Sequence, residues 1–124
     1  MNIVIADDSD MLRERIKESL KNLKNVVIVG EAKNGIEAVK IILEMKPDFV
    51  LLDIRMPELN GIEVLKKIKS KMAKTRVCIF TNYPFLQYKT KCELEGADYF
   101  FDKNINIQVI KNLIEQLSTY GMGN

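Results

Sequence analysis

Five short apolar segments alternate with five segments of helical periodicity along the chain. The apolar segments cover residues 3–6, 26–30, 49–52, 77–80 and 99–101. Four of them are continuous β-branched or otherwise apolar runs, as expected for strands buried on both faces of a parallel sheet, and the aromatic fifth favours an edge position. Strict alternation of strand and helix, joined by right-handed crossovers, predicts an α/β fold. We expect an open, doubly wound, flavodoxin-like (βα)5 sheet of five parallel strands in the order 2-1-3-4-5.

Four of the helical segments carry a clear apolar stripe. The stripes are Leu12, Ile16, Leu20 and Leu23; Ile36, Val39, Ile42 and Leu43; Ile62, Leu65 and Ile68; and Ile110, Leu113, Ile114 and Leu117. The remaining helix, the fourth, has the weakest pattern and is predicted over roughly residues 84–95. Asn82 suits its cap, Pro84 its first turn and Gly96 its end.

Length and charge favour a single cytoplasmic domain. A chain of 124 residues matches one core, and we expect a domain over residues 1–120, a short tail over 121–124 and no output domain. No run approaches the ~18 apolar residues of a membrane span, and the N-terminus lacks the features of a signal peptide. The net charge of +2, spread over dispersed lysines, gives no support to direct binding of nucleic acid.

The absence of histidine removes several kinds of chemistry. Ser-His-Asp and Cys-His catalysis, imidazole metal sites and phosphohistidine are all excluded. The two cysteines, Cys78 and Cys92, show no metal-ligand spacing, and Cys78 lies in an apolar strand as a predicted small core residue. A phosphoryl group carried by this chain therefore needs another residue type as its acceptor.

Charged or hydroxyl-bearing side chains follow four of the predicted strands. They are Asp7 and Asp8 after the first strand, Asp53 after the third, Thr81 after the fourth and Lys103 after the fifth. In open α/β sheets the carboxyl ends of the strands form the edge where ligands bind. Clustered carboxylates repel one another, and all-oxygen ligation without histidine or cysteine suits Mg²⁺ or Mn²⁺. The sequence thus predicts a magnesium-dependent site that accepts a phosphoryl group.

Each residue has a functional and a plainer interpretation. Asp53 is the predicted nucleophile, which forms an acyl phosphate; its alternative is a turn aspartate ahead of Pro57. Asp8 is a metal ligand, or Asp8 or Asp10 merely caps the first helix. Asp7 is predicted to act through metal-bound water or through the lysine at the end of the fifth strand.

Thr81 and Lys103 are informative because they occur together. A hydroxyl from Thr81 and an ammonium from Lys103 can both contact phosphoryl oxygens. Taken singly, a threonine at a strand end and one lysine among many would be unremarkable.

At these residues the chain resembles the receiver domains of two-component response regulators, in particular single-domain regulators of the chemotaxis type. The resemblance is carried by residues 3–8, 51–57, 60–61, 80–82 and 96–103. It implies that Asp53 is phosphorylated from the phosphohistidine of a sensor histidine kinase. It implies Mg²⁺ held by Asp8, Asp53 and the main-chain carbonyl of Arg55, with Asp7 in support. It also implies that Thr81 and Lys103 sense the phosphate.

The same resemblance identifies a switch. The aromatic residue three positions before the lysine is Phe100, and the family rearranges the face formed by the fourth helix, fifth strand and fifth helix. Phenylalanine has no hydroxyl, so switching here is expected to depend on packing. Asn104 follows Lys103, where family members often have a proline in a cis bond.

Two flanking residues are predicted to tune the lifetime of the phosphoryl group. Arg55 lies two positions after the nucleophile and Tyr83 two after the threonine, and both are expected to overhang the acyl phosphate. The protein would then be a switch that catalyses its own phosphorylation and slow dephosphorylation rather than a turnover enzyme.

Several alternatives stay open at this point. A haloacid-dehalogenase-type phosphatase needs an aspartate where Arg55 stands, and the acidic loop at Asp7 would repel the phosphate of a flavodoxin-type cofactor. The third alternative is a binding module with a vestigial site.

The output is also open between a target-binding regulator, a phosphorelay intermediate that exchanges with a histidine phosphotransfer protein, and the receiver of a longer regulator. Tyr88, Lys89 and Lys91 are candidates for a target surface, and the chain is expected to be a monomer or a phosphorylation-dependent dimer.

Overall fold

The computed structural model describes residues 1–120 and contains five parallel strands and five helices in strict alternation. The predicted tail, residues 121–124, lies outside the described residues. The strands are β1 (Asn2–Ala6), β2 (Val27–Ala32), β3 (Phe49–Leu52), β4 (Arg76–Thr81) and β5 (Tyr99–Asp102). The helices are α1 (Asp10–Leu20), α2 (Gly35–Met45), α3 (Gly61–Lys71), α4 (Leu86–Leu94) and α5 (Ile107–Tyr120).

The sheet order is β2-β1-β3-β4-β5, as the sequence predicts. Every neighbouring pair is parallel, and the register aligns Ala6 with Leu52 and Thr81 with Asp102. The predicted edge position of β5 is confirmed. β2 forms the other edge and is only partly buried, unlike the strand buried on both faces that its apolar run predicts.

Alternate residues of the central strands feed two separate cores, because successive side chains of a strand point to opposite faces. One core packs the sheet against α2, α3 and α4, with Val50 and Leu65 among its buried members. The other packs it against α1 and α5, with Phe80 and Ile114 fully enclosed. Both cysteines are buried, Cys78 in the second core as predicted and Cys92 in the first. Burial raises the pKa of both thiols, that of Cys92 to about 11.

Two sequence expectations about helices are wrong. Helix α4 begins at Leu86 rather than near Pro84, and Asn82 does not cap it, since Phe85 occupies the cap position without a side-chain hydrogen bond. Gly96 does follow the helix with φ +98°, a conformation that glycine adopts readily. In α2, Ile36 is 58% exposed and so lies outside the core that its predicted stripe implies.

Within residues 1–120 none of the helices combines the length and apolarity that crossing a bilayer requires.

Candidate phosphoacceptor site

Three carboxylates converge at the carboxyl edge of the sheet. β1 and β3 are neighbours, and Asp7 and Asp53 follow the paired residues that end them, with the Asp53 amide donating to the carbonyl of Ala6 at 3.0 Å. One carboxylate oxygen from each of Asp7, Asp8 and Asp53 lies within 4.8 Å of the others. Asp7 and Asp53 are buried, whereas Asp8 is exposed. The cluster offers only oxygen ligands, the donor set that Mg²⁺ and Mn²⁺ prefer.

Lys103 reaches this cluster from the edge strand β5, across β4. Its amide donates to the carbonyl of Thr81 at 2.8 Å, which fixes the start of its loop beside the end of β4. Its Nζ lies 2.7 Å from Asp7 Oδ2 and 2.9 Å from Asp53 Oδ2. The side chain is 11% exposed, so a single ammonium compensates two buried carboxylates.

The two charges act on each other's protonation. Burial raises the pKa of Asp53 and Asp7 adds to the effect, while the hydrogen bond and charge of Lys103 offset part of it. Burial acts to lower the pKa of Lys103, but hydrogen bonds to Asp7 and Asp53 outweigh it and raise that pKa. Lys103 therefore stays charged, and Asp53 is a more basic carboxylate than an ordinary aspartate.

The carboxylate of Asp53 is fixed from two sides. Oδ1 accepts the amide of Ile54 at 2.7 Å, and Oδ2 accepts the ammonium of Lys103. The loop that follows is held by a close approach at Gly61, where an added Cβ would lie 2.0 Å from the carbonyl oxygen of Asp53. The Gly61 amide donates to the carbonyl of Ile54 at 2.7 Å, so α3 begins directly against the residue that carries the site.

Thr81 ends β4 and is fully buried. Its Oγ1 accepts the amide of Tyr83 at 3.0 Å, which orders the loop between β4 and α4. No hydrogen bond donated by this hydroxyl is found among residues 1–120. The hydroxyl proton is thus available to an acceptor that arrives at the sheet edge.

Arg55 and Tyr83, the two residues predicted to overhang the site, contact each other. The guanidinium carbon of Arg55 lies 4.3 Å from the centroid of the Tyr83 ring, a cation–π distance. The neighbouring Tyr88 hydroxyl raises the pKa of Arg55. The pair joins the loop after β3 to the loop after β4. Phe100 lies elsewhere, partly buried on β5 against the core beneath α2, α3 and α4.

Sequence reasoning missed two residues at the start of α1, Ser9 and Arg13. Ser9, rather than Asp8 or Asp10, caps α1, its hydroxyl oxygen accepting the amide of Leu12 at 3.2 Å. The signal was present, since serine is a preferred cap residue. Arg13 Nη1 donates to the main-chain oxygen of Asp7 at 2.6 Å, and no sequence pattern marks this arginine. All peptide bonds of the described residues are trans, including the one before Asn104.

Comparison with known proteins identifies the family of this chain. The family of response regulator receiver domains matches residues 3–115. The uncharacterized transcriptional regulatory protein YhcZ of Bacillus subtilis (strain 168) is 40% identical over 83 residues, 67% of this chain and 39% of that protein. The nitrate/nitrite response regulator protein NarL of Escherichia coli (strain K12) is 29% identical over 114 residues, 92% of this chain and 53% of that protein. The chain thus spans well under two thirds of either relative.

Solved structures give the same result. The response regulator domain of Thermotoga maritima CheB has a TM-score of 0.85 and 30% identity, covering 100% of this chain and 97% of that one. A chain in the CheX-CheY-BeF3-Mg complex from Borrelia burgdorferi has a TM-score of 0.85 and 26% identity, covering 98% and 90%. Since the family match extends over nearly all of the described fold, the chain belongs to the receiver domains of two-component response regulators.

Proposed function

We propose that this protein is a phosphoacceptor switch in which Asp53 receives a phosphoryl group from the phosphohistidine of a partner protein. The observation that carries the proposal is the bridge of Lys103 between Asp7 and Asp53, at 2.7 and 2.9 Å. It brings the ends of β1, β3 and β5 to one point and keeps a cation beside a basic, buried carboxylate.

The donor set fits a magnesium ion. Asp8, Asp53 and the main-chain carbonyl of Arg55 would hold it, with Asp7 contacting it through water; Mn²⁺ satisfies the same oxygen ligands. When bound, such an ion neutralises the charge of carboxylates and phosphoryl oxygens. Exposed Asp8 leaves the cluster open on one side for entry of the ion and the phosphoryl donor.

The protein's own groups perform the transfer. A carboxylate oxygen of Asp53 attacks phosphorus, the P–N bond of the phosphohistidine breaks, and its electron pair remains on the imidazole nitrogen. Lys103 moves from a carboxylate oxygen to a phosphoryl oxygen and stays paired with Asp7. The Thr81 hydroxyl donates its proton in a hydrogen bond to another phosphoryl oxygen.

The switch follows from these new contacts. The phosphoryl group adds about −1.5 to −2 charges and draws Thr81 and Lys103 towards it. Movement of Thr81 displaces the start of the loop before α4, and Phe100 on the adjacent strand repacks inward. The face formed by α4, β5 and α5 changes as a result, and Tyr88, Lys89 and Lys91 present it to a downstream target.

Arg55 and Tyr83 set the lifetime. We propose that the contacting pair overhangs Asp53 and hinders the water molecule that must attack in line to hydrolyse the acyl phosphate. A covered approach makes self-dephosphorylation slow.

We propose a sensor histidine kinase or a histidine phosphotransfer protein as the donor, acting in the cytoplasm. The relatives matched over part of their length include transcriptional regulators and a protein-glutamate methylesterase. The output is therefore proposed as a target-binding switch, with a phosphorelay intermediate or the receiver of a longer regulator as alternatives. The described domain itself is proposed not to bind nucleic acid or membrane, and to be a monomer or a phosphorylation-dependent dimer.

The deciding experiment is incubation with Mg²⁺ and acetyl phosphate, followed by intact mass measurement. We expect one added phosphoryl group, absent from Asp53→Asn and from a magnesium-free sample. Beryllofluoride binding serves as a check on rapid hydrolysis. If wild type shows neither an adduct nor beryllofluoride binding, the site is vestigial and the protein acts through constitutive contacts.

A further inference from the structure

Arg13 connects three parts of the molecule that lie beside the acid cluster. Its side chain is 12% exposed, and its Nη1 donates to the main-chain oxygen of Asp7 at 2.6 Å. Its Nε donates to Glu31 Oε1 on the edge strand β2 at 3.1 Å. It also pairs with Asp10 in the first turn of α1. Arg13 thus ties the loop between β1 and α1 to a neighbouring strand.

Glu31 is itself held in place. Its second oxygen accepts Lys17 Nζ at 2.8 Å, so the two carboxylate oxygens bind two cations of α1. Glu31 is in register with Ile5 of β1, one residue before the strand's end. The guanidinium of Arg13 is therefore fixed at one end by an ordered carboxylate.

The hydrogen bond from Arg13 is accepted by the peptide unit that joins Asp7 to Asp8. Every other polar group of Asp7 is also bound: the amide donates to Ala32 O at 2.9 Å, Oδ1 accepts the amide of Ser9 at 2.9 Å, and Oδ2 pairs with Lys103. The carbonyl bond from Arg13 fixes the rotation of the peptide plane between Asp7 and Asp8. That plane sets the direction in which the exposed carboxylate of Asp8 leaves the backbone.

We infer that Arg13 is a positioning residue for the divalent cation site, acting through the main-chain carbonyl of Asp7 to orient Asp8. The inference rests on the magnesium site of the proposed function. A charged donor at 2.6 Å makes a hydrogen bond about twice as strong as a neutral one. When a residue that holds a metal ligand in position through a hydrogen bond is removed, metal affinity typically falls by about 10- to 100-fold.

Coulomb's law gives the opposite expectation, which makes the idea easy to test. Arg13 carries a positive charge close to a site for a dication, so its removal alone should tighten Mg²⁺ binding. A positioning role predicts weaker binding instead. The sign of the change in affinity therefore shows which of the two effects is larger.

The experiment is a magnesium titration followed by the backbone amide signals of residues 7–9 in NMR spectra, with the melting temperature of each metal-free variant recorded. For Arg13→Gln we expect the dissociation constant to rise about tenfold. Arg13→Lys keeps the charge but cannot hold Glu31 and the Asp7 carbonyl together, so a smaller rise, about threefold, is expected. At saturating Mg²⁺ the variants should recover phosphorylation by acetyl phosphate.

Lys21→Gln is the matched control, because Lys21 lies at the end of the same helix and pairs with Glu18, whereas it contacts neither Glu31 nor Asp7. We expect its magnesium affinity to equal that of wild type. An Arg13→Gln protein that binds Mg²⁺ as well as or better than wild type would overturn the inference, as would equal weakening by Lys21→Gln. If Arg13→Gln does not fold, Arg13→Lys decides: unchanged affinity overturns the inference. Wild type that binds no Mg²⁺ would instead refute the metal site itself.

Discussion

A single, largely buried ammonium compensates two buried carboxylates at the site. Lys103 contacts two carboxylates that are 4% and 5% exposed. Two like charges about 4 Å apart repel by roughly 4 kcal/mol at the effective dielectric near a protein surface. Lys103 turns this repulsion into attraction, so the residue proposed to contact the phosphoryl group also stabilises the folded state.

Replacing Lys103 by methionine should destabilise the fold. Removing one partner of a buried ion pair costs about 3 kcal/mol, because the remaining carboxylates lose their compensation. Mg²⁺ should stabilise this variant more than it stabilises wild type, since the dication then compensates the same charges. Urea unfolding with and without Mg²⁺ measures both effects. Lys89→Met, which alters a solvated lysine, should change stability by less than about 0.5 kcal/mol, and equal loss in both variants would contradict the argument.

At the same scale, Tyr83 is proposed to limit the access of water to the phosphoryl group. Tyr83→Ala removes the ring on which Arg55 stacks and opens the approach for water. We expect the phosphoryl half-life to shorten about threefold, equivalent to roughly 0.7 kcal/mol of barrier. The decay of phosphorylated protein after removal of the donor gives the half-life. Tyr83→Phe keeps the ring and should resemble wild type, whereas an unchanged or longer half-life in Tyr83→Ala would refute the covering role.

At the scale of elements, the helices divide into anchored and weakly anchored. α3 starts against Asp53 through Gly61 and buries Val64, Leu65 and Ile68. α4 buries only Cys92 among its residues and has no side-chain cap. Local opening is easiest where few apolar contacts hold an element. Helix α3 therefore supports Asp53, the proposed nucleophile, and α4 is the helix that can open most easily.

Gly61→Ala tests the firm element. A Cβ would lie 2.0 Å from the Asp53 oxygen, which forces α3 or the loop away from the site. We expect a loss of about 3 kcal/mol in stability together with weaker beryllofluoride binding. Gly30→Ala is a suitable control, because its Cβ would meet only the end of the Ile41 side chain, at 3.1 Å. A Gly61→Ala protein as stable as this control would contradict the close approach.

At the scale of the whole molecule, the parallel sheet determines which parts of the fold and site can be predicted from the sequence. Asp7, Asp53, Thr81 and Lys103 are predictable because parallel strands all end at one edge, and the apolar runs locate those ends. Helix α4 is poorly predicted because Leu86 and Leu94 are both 78% exposed and provide no stripe. The role of Arg13 is not predictable, since it depends on where β2 places Glu31 in three dimensions.

Charge pairs across the fold make its stability depend on pH. Burial acts to raise the pKa of Glu31, but hydrogen bonds from Lys17 and Arg13 outweigh it and leave that pKa below its usual range. Because the folded pKa is lowered, the stabilising contribution is present above the unfolded value of about 4.3 and is lost as the pH falls through the folded pKa.

Glu31→Gln should accordingly be less stable than wild type at pH 7. The difference should close as the pH is lowered below about 4, where wild type loses the same interaction. Urea unfolding of the two proteins between pH 7 and pH 3 measures the difference, and the other carboxylates cancel in the comparison. A difference that stays constant over this range would show that the pairs with Lys17 and Arg13 contribute nothing.

The deep burial of both native thiols has a practical consequence. Cys78 and Cys92 are 0% exposed, and their raised pKa values keep them protonated and unreactive at neutral pH. A cysteine introduced at exposed Gln87 on α4 would be the sole thiol open to maleimide reagents. The wild-type chain is thus already a suitable background for a fluorophore or spin label that tests in real time whether α4 moves on phosphorylation.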